Sequence, residues 1–380
     1  MAFSFGNLFK NVGRSSGSSS VIGIDIGASS AKVVQLRASR GVAVLETYGE
    51  IALGPYADQP VGKAVKLSPE KEAEALKDLM KEANVTAHDG CASIPFSSSL
   101  VAVIDLPPAD SEALKRIVPI EARKYIPVAV SEVSLDWFVI PREEGENSAF
   151  DQLQEKNAVR TKGQEVLLVA IQNTVLKAYQ SIMEAIGVSS NFYEIEIFSA
   201  MRSCLGHGIA PILLVDLGAS TTKMYVVERG VVRMTHLLSL GGQHLTETLM
   251  RSLDWDFEKA ERLKREHGLA NSTAFGADEN AKMQEALLST LARVFSEVNR
   301  VLLSYGQRYN KNVSSVILTG GGASLPGIAL AAKQSLSAEV SVADPFSKTE
   351  APAFLGNVLT AIGPSFSVCV GLALRKLKNR

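Results

Sequence analysis

The stretch VIGIDIGASSAKVV, Val21 to Val34, sets a single acid inside a run that otherwise reads as a buried strand. An unpaired carboxylate in a core is costly or shifts its pKa, so Asp25 needs a partner. The residues after it say which kind. Gly27, Ala28, Ser29 and Ser30 make a turn with no bulky side chain in front of its amides. Such a nest takes phosphate oxygens, and serine hydroxyls add further donors. Magnesium keeps several waters and needs few carboxylates, so a hydrated magnesium ion on a nucleotide phosphate would partner Asp25. Lys32, on the outgoing strand, is placed to reach a phosphate.

The stretch has a twin, LLVDLGASTTKMYVV, Leu213 to Val227. Aligning Asp25 with Asp216 also pairs Gly27 with Gly218, Ala28 with Ala219, Ser29 with Ser220 and Lys32 with Lys223. Each copy reads as strand, tight turn, strand, because β-branched residues flank a turn in which glycine permits close approach. Either hairpin alone would pass for an ordinary turn whose aspartate satisfies nearby amides. Two matching copies half a chain apart favour two related domains facing each other across a phosphate site lined by Gly218, Ala219, Ser220 and Thr221 as well.

A third glycine cluster follows in SSVILTGGGASLPGIALAAKQSL, Ser314 to Leu336. A buried strand (Val316–Leu318) runs into Gly320, Gly321 and Gly322 and then into a helix. A glycine turn there lets a ligand lie against bare backbone. Alone it is weak; after two hairpins, in this order, it is much more specific.

Composition bounds the rest. The chain's 380 residues exceed one ordinary core and suggest at least two subdomains. Hydrophobic residues at 46% and charged residues at 21% fit a soluble globular protein, and a net charge of −1 gives no bias toward nucleic acid or anionic lipid. Cys91, Cys204 and Cys369 are far apart and lack metal spacing, which fits a reducing compartment, and the five histidines form no HxxxH pair. No apolar run is expected to reach the roughly 18 residues of a transmembrane helix. The first twenty residues lack the pattern of a signal peptide: residues 13–20 read as a Gly/Ser linker, and the segment before it, with Phe3, Phe5, Leu8 and Phe9, reads as a frayed end in preference to a docking segment. The expected location is the cytoplasm.

With these motifs in order, the chain resembles the actin-like ATPase superfamily, whose pattern is phosphate-1 hairpin, connecting helix, phosphate-2 hairpin, adenosine loop, connecting helix. Residues 22–36 and 213–227 resemble the hairpins, NFYEIEIFSAMRSCL the first connection, Gly320–Gly322 the adenosine motif, and LTAIGPSFSVCVGLALRKL the last connection, with small residues that let two helices cross closely. LSLGGQHLTETL, residues 238–249, resembles the segment leading into the second domain's upper part. FEKAERLKREHG resembles the adenine-flanking helix, which implies Glu261 and Lys264 beside base and ribose; the residues alone fit a solvated charged helix equally well. CASIPFSSSLVAVIDL and EARKYIPVAVSEVSLDWFVI resemble the small strand–helix–strand–strand insert (SHS2) of the FtsA/PilM branch, and the E-x-x-x-Y-I-P helix end with its following L-D strand is similar to the PilM family of pilus-assembly proteins. The C-terminus, LALRKLKNR, lacks the linker and amphipathic anchor expected of FtsA.

The resemblance implies an α/β fold of duplicated RNase H-like domains: a tail over 1–20, a first domain over 21–210 with the insert at about 94–168, and a second over 211–380 with an upper helical part at about 235–305. It implies ATP and Mg2+ as ligands, with Asp25 and Asp216 near the metal. Catalytic roles fall to Asp216 and to Glu194, which aligning FSAMR with the family motif puts at the water-orienting position, with Glu196 on the same strand face. These two acids fit a helix-flanking role equally well. Turnover is expected to be weak at most. The implied function is a cytoplasmic scaffold at the inner face of the membrane. It would bind the N-terminal tail of PilN in a groove between the first subdomain and the insert, lined from residues 94–140. Other pilus-platform proteins, motor ATPases or further copies of the chain would be additional partners, with no nucleic acid and membrane only through partners. An FtsA-like filament protein and a small-molecule kinase are the alternatives; residues 141–165, read as an exposed polar loop, offer no substrate-recognition segment for the latter.

Overall fold

The computed structural model describes residues 20–141, 163–271 and 276–379. The N-terminal tail and most of the 141–165 segment lie outside them.

Strand-forming residues on either side of each D-x-G turn fold back on one another. β1 (Ser20–Ile26) pairs antiparallel with β2 (Ser30–Ser39), with Asp25 opposite Lys32, and β2 continues into β3 (Val42–Ala52). After α1 (Pro69–Glu82), β4 (Gly90–Ile94) lies parallel to β1 and accepts the two-residue β8 (Glu194–Ile195) at its other side. The sheet order is β3-β2-β1-β4-β8. The second half repeats it. β9 (Ile212–Leu217), β10 (Thr222–Glu228), β11 (Val231–Leu238), β12 (Ser315–Thr319) and β13 (Glu339–Val342) form a sheet ordered β11-β10-β9-β12-β13, with Asp216 opposite Lys223.

Between β4 and β8 the chain builds a third sheet, β5 (Ser99–Leu106), β6 (Val133–Val139) and β7 (Gln164–Gln172), in the order β5-β7-β6, with α2 (Ser111–Ala122) against it. Asp110 starts α2 by accepting the Ala113 amide at 2.7 Å. Leu114 and Val118 of α2 join Ile104, Val166 and Leu168 in a small core of their own. The order is strand–helix–strand–strand, with elements running from Ser99 to Gln172, against the expected span of about 94–168. α3 (Asn173–Ala185) returns to the first sheet.

The upper part of the second half is helical: α5 (Gly242–Leu253), α6 (Phe257–His267) and the 33-residue α7 (Ala277–Tyr309). α7 buries Met283, Leu287, Leu291, Val294, Val298, Val301 and Tyr305, the three-and-four spacing of a core helix. α8 (Ile328–Ser335) follows the glycine cluster, and α9 (Gly356–Ile362) and α10 (Ser367–Lys378) close the chain.

α10 crosses α4 (Glu196–Cys204) at a distance only glycine allows. A Cβ on Gly371 would lie 1.9 Å from the Ser199 carbonyl oxygen, and one on Gly23 of β1 would lie 2.2 Å from the Cys369 carbonyl. Ser203 Oγ adds a 2.6 Å bond to the Ser367 carbonyl. Cys369, Val370 and Ala373 pack on Val21, Val34 and Leu36. One expectation is corrected here. The helical stretch Ala353–Lys378 is long and apolar enough to cross a membrane, although small and polar residues interrupt its apolar run. Most of it is buried, so it serves as a core element between the halves.

Gly371→Ala should therefore cost about 2–3 kcal/mol through overpacking. Gly356→Ala, on α9 where nothing lies within 4 Å of the new methyl, should be neutral or slightly stabilising. Urea unfolding of the two variants measures the difference, and equal midpoints would contradict the crossing.

Candidate functional site

The two sheets present their hairpin turns to one cavity of about 350 Å³, the size of a small-molecule site. Each turn is closed the same way: the Gly27 amide donates to the Ser30 carbonyl, and the Gly218 amide to the Thr221 carbonyl, both at 3.0 Å. Neighbouring backbone holds the turns from behind. Val65 and Leu53 amides donate to the Ala28 and Ser29 carbonyls, and Gly242 and Gln243 amides to those of Gly218 and Ala219. The amides of Ala28, Ser29, Ala219 and Ser220 have no backbone acceptor among the described residues. With their carbonyls engaged on the far side, these four N–H groups are donors available to the cavity that the turns line.

Gly320 carries φ +81°, and a Cβ there would lie 2.2 Å from Asp216 Oδ1. A Cβ on Gly322 would lie 2.7 Å from Leu217 Cβ, whereas one on Gly321 would have nothing within 4 Å. The cluster is thus wedged against the second hairpin at both ends, with bare backbone between, on the cavity wall. Gly320 and Gly322 are needed for packing, and Gly321 has open space in front of its backbone.

Glu261 and Lys264, on α6, are buried rather than solvated. Lys264 Nζ donates to Glu261 Oε2 (2.5 Å), Thr246 Oγ1 (2.8 Å) and the Gly242 carbonyl (3.0 Å), while Arg265 reaches Glu261 Oε1 at 2.6 Å. Burial pushes the Glu261 carboxyl up, but Lys264 and the hydrogen bonds outweigh it and hold it below the usual range. Both residues line the cavity, and the solvated-helix alternative is set aside.

The charged floor is asymmetric. Asp25 Oδ1 accepts from Ser93 Oγ at 2.6 Å, and Lys32 turns away to Ser30 Oγ (2.6 Å) and Glu50 (3.1 Å). In the second half Lys223 Nζ stays with Asp216 Oδ2 (3.0 Å) and spans to Glu196 Oε2 (2.6 Å), whose other oxygen accepts the Phe96 amide at 2.6 Å. Burial raises the Glu196 carboxyl, with Lys223 pulling against it and Asp216 and Asp25 reinforcing it. Burial would strip the Lys223 proton, yet Asp216 and Glu196 more than compensate and keep it charged.

Glu194 is not at this site, which corrects the catalytic assignment made from the motif. β8 is only two residues long and α4 begins at Glu196, so strand alternation does not carry across the junction and the two acids diverge. Glu194 is 1% exposed and locked by Arg202 (2.7 and 2.8 Å), Ser199 Oγ (2.6 Å) and Arg375. Burial raises its carboxyl, but the two arginines prevail and hold it at about 2. Glu196 is the acid that faces the cavity.

Several lining residues carried no sequence signature. Gly62, at φ +90°, brings the 54–67 loop of the first half so close to Glu261 that a Cβ would sit 2.8 Å from it. Alongside, the Ala64 amide donates to Gln243 Oε1 at 2.8 Å, and Lys63 lies 3.6 Å from Glu247. Lys223 did have a signal, its alignment with Lys32, although it was not placed among the ligand-binding residues.

The donor set fits a nucleotide: free turn amides and hydroxyls for phosphates, a bare glycine wall, and a buried polar pair for base or ribose. For magnesium, no group of three or more His, Cys, Asp or Glu side chains suited to a metal occurs among the described residues. Asp25 and Asp216 would meet the ion through its water shell.

Duplicated sheets in one strand order, with D-x-G hairpins facing a shared cleft and a glycine loop beside the second, define the actin-like class of folds. The model of the family described as type IV pilus assembly protein PilM matches residues 23–377, and the chain belongs to that family. Among solved structures it superposes on the "PilM-PilN type IV pilus biogenesis complex" with a TM-score of 0.75 at 22% identity, covering 94% of this chain and 98% of that one. MreB 5 of Spiroplasma citri bound to AMPPNP gives 0.52 at 11% identity, covering 94% and 96%. These likenesses show the fold. Cell division protein FtsA of Rhizobium meliloti (strain 1021) is 31% identical over 180 residues, 42% of this chain and 39% of that protein, so the alignment spans about two fifths of that relative's length. FtsA of Enterococcus faecalis (strain ATCC 700802 / V583) aligns over 352 residues at 24% identity, covering 84% and 77%.

The Glu194 lock gives a pH signature. Because its folded pKa is depressed from 4.5 to about 2, its contribution is present above 4.5 and lost as pH falls toward 2. Glu194→Gln should lose about 3 kcal/mol at neutral pH. Urea midpoints should show the gap to the unmodified chain narrowing through the acid range; a gap independent of pH would contradict the lock.

Proposed function

We propose that this chain is an ATP-binding scaffold of a type IV pilus assembly platform, which captures the N-terminal tail of a PilN-like membrane protein and changes its affinity for that tail when nucleotide closes the cleft. The observation that carries the nucleotide half is the convergence of both hairpins, Gly321 and the Glu261–Lys264 pair on one cavity. The family and the PilM-PilN likeness support the partner half. The partner would hold the chain at the cytoplasmic face of the membrane.

In this reading the amides of Ala28, Ser29, Ala219 and Ser220 and the hydroxyls of Ser29, Ser30, Ser220 and Thr221 hold the phosphates, with Lys32 beside them. Gly320–Gly322 flank the adenosine, and Glu261 and Lys264 face base and ribose. Magnesium, when bound, neutralises phosphate charge. Glu196 is the acid positioned to orient a water, but Lys223 and the Phe96 amide occupy its oxygens. Slow turnover follows, and ATP acts as a ligand that shifts a population rather than as fuel.

The partner groove lies between the first sheet and the insert. In the insert's three-strand order β6 is an edge, while β5 approaches β11. Thr235 Oγ1 of β11 donates to the Val101 carbonyl at 3.1 Å, and Arg233 pairs with Glu165 of β7 at 2.6 Å. β11 leads directly into Gly241 and Gly242 behind the second hairpin. One strand thus joins the nucleotide cleft to the insert, the route by which nucleotide would alter the groove.

Fluorescence anisotropy of a labelled PilN N-terminal peptide, titrated with the full chain with and without Mg-ATP, tests this. Saturable binding with an affinity that changes by about fivefold or more is expected. No binding in either state, together with ATP-dependent sedimentation of polymers, would favour an FtsA-like filament instead, the reading suggested by the FtsA matches.

A further inference from the structure

The two hairpins carry the same lysine and use it differently. Lys32 stands opposite Asp25 in register but gives its ammonium to Glu50 and Ser30. Lys223 stands opposite Asp216 and keeps its ammonium there, 3.0 Å from Asp216 Oδ2 and 2.6 Å from Glu196 Oε2. Both of those acids are buried and both line the cavity. A cation held between two carboxylates beside a phosphate nest is in the place where charge neutralisation is needed most.

Five carboxylates and four cationic side chains line the cavity. Lys32 is taken by Glu50, and Lys264 and Arg265 by Glu261. Lys223 is therefore the cation that answers Asp216 and Glu196. Without it, three cations would face five carboxylates, and an incoming polyphosphate would meet two uncompensated buried charges. With it, Asp216 already has a cation on one oxygen, and Asp25, bonded through one oxygen to Ser93, is the less neutralised of the two carboxylates that would meet a metal's water shell.

We propose that Lys223 is a built-in counter-cation that takes over part of magnesium's charge-neutralising role in the second half of the site, so that nucleotide is held without a strict need for the divalent ion. This rests on the nucleotide reading above. A lysine that merely satisfies two buried acids would affect stability alike with and without metal; a counter-cation changes how far affinity depends on metal.

The experiment is titration of N-methylanthraniloyl-ATP with the full chain, in magnesium and in excess EDTA, for the unmodified protein, Lys223→Met and Lys223→Arg. Removing magnesium should weaken the unmodified protein and Lys223→Arg by less than about tenfold, and Lys223→Met by more than about tenfold. A loss above tenfold in the unmodified protein, or the same ratio in Lys223→Met, overturns the inference and leaves the nucleotide site standing. No binding by the unmodified protein in either buffer overturns the nucleotide reading and the inference together. Should Lys223→Met fail to fold, the ratio for the unmodified protein decides the matter by itself.

Discussion

Backbone contact between α4 and α10 sets how the two halves of the molecule meet. The Gly371 carbonyl accepts from Arg202 at 3.0 Å, and its Cα rests against the Ser199 carbonyl with no room for a side chain. The same arginine locks Glu194, and Arg375, from the same helix as Gly371, completes the lock. Close approach, carboxylate and arginines form one buried unit between the sheets.

From that crossing the site follows by local chemistry. The turns use their carbonyls to anchor α5 and the 54–67 loop, which leaves their amides for the cavity. Gly320 and Gly322 are pinned on Asp216 and Leu217, so the glycine wall is fixed rather than loose. The loop around Gly62 touches Glu261 across the cleft, so closing and opening must move a contact between halves. On the other side β11 ties the second half to the insert through Arg233 and Thr235. In the proposed reading, a ligand that favours the closed cleft would act on that strand through Gly241 and Gly242, which follow it.

Much of this was legible in the sequence because the decisive features are local. A D-x-G-A-S turn between β-branched runs reports its own geometry, and a second copy reports the duplication. The insert's order was legible from its helix end and its strand. Glu194 was misplaced because the FSAMR alignment fixes a position in sequence but not the direction of its side chain: Arg202 and Arg375 draw Glu194 away, and the backbone turns helical at Glu196, so the two acids do not share a face. The buried state of Glu261 and Lys264 depends on Thr246 and Gly242, eighteen to twenty-two residues away from Lys264, which helix periodicity alone does not contain. The span Ala353–Lys378 does not read as one apolar run because serine, proline and glycine lie within it. The different fates of Lys32 and Lys223 turn on Glu50 and Glu196, neither of which belongs to the repeat.

The central claim is that both hairpins grip one nucleotide. Hydrogen–deuterium exchange of the full chain with and without ATP measures it directly. The account predicts slower exchange on binding in peptides covering residues 26–31 and 217–222 together, at the same ATP concentration. Protection of one turn without the other, or of neither at saturating ATP, would contradict it.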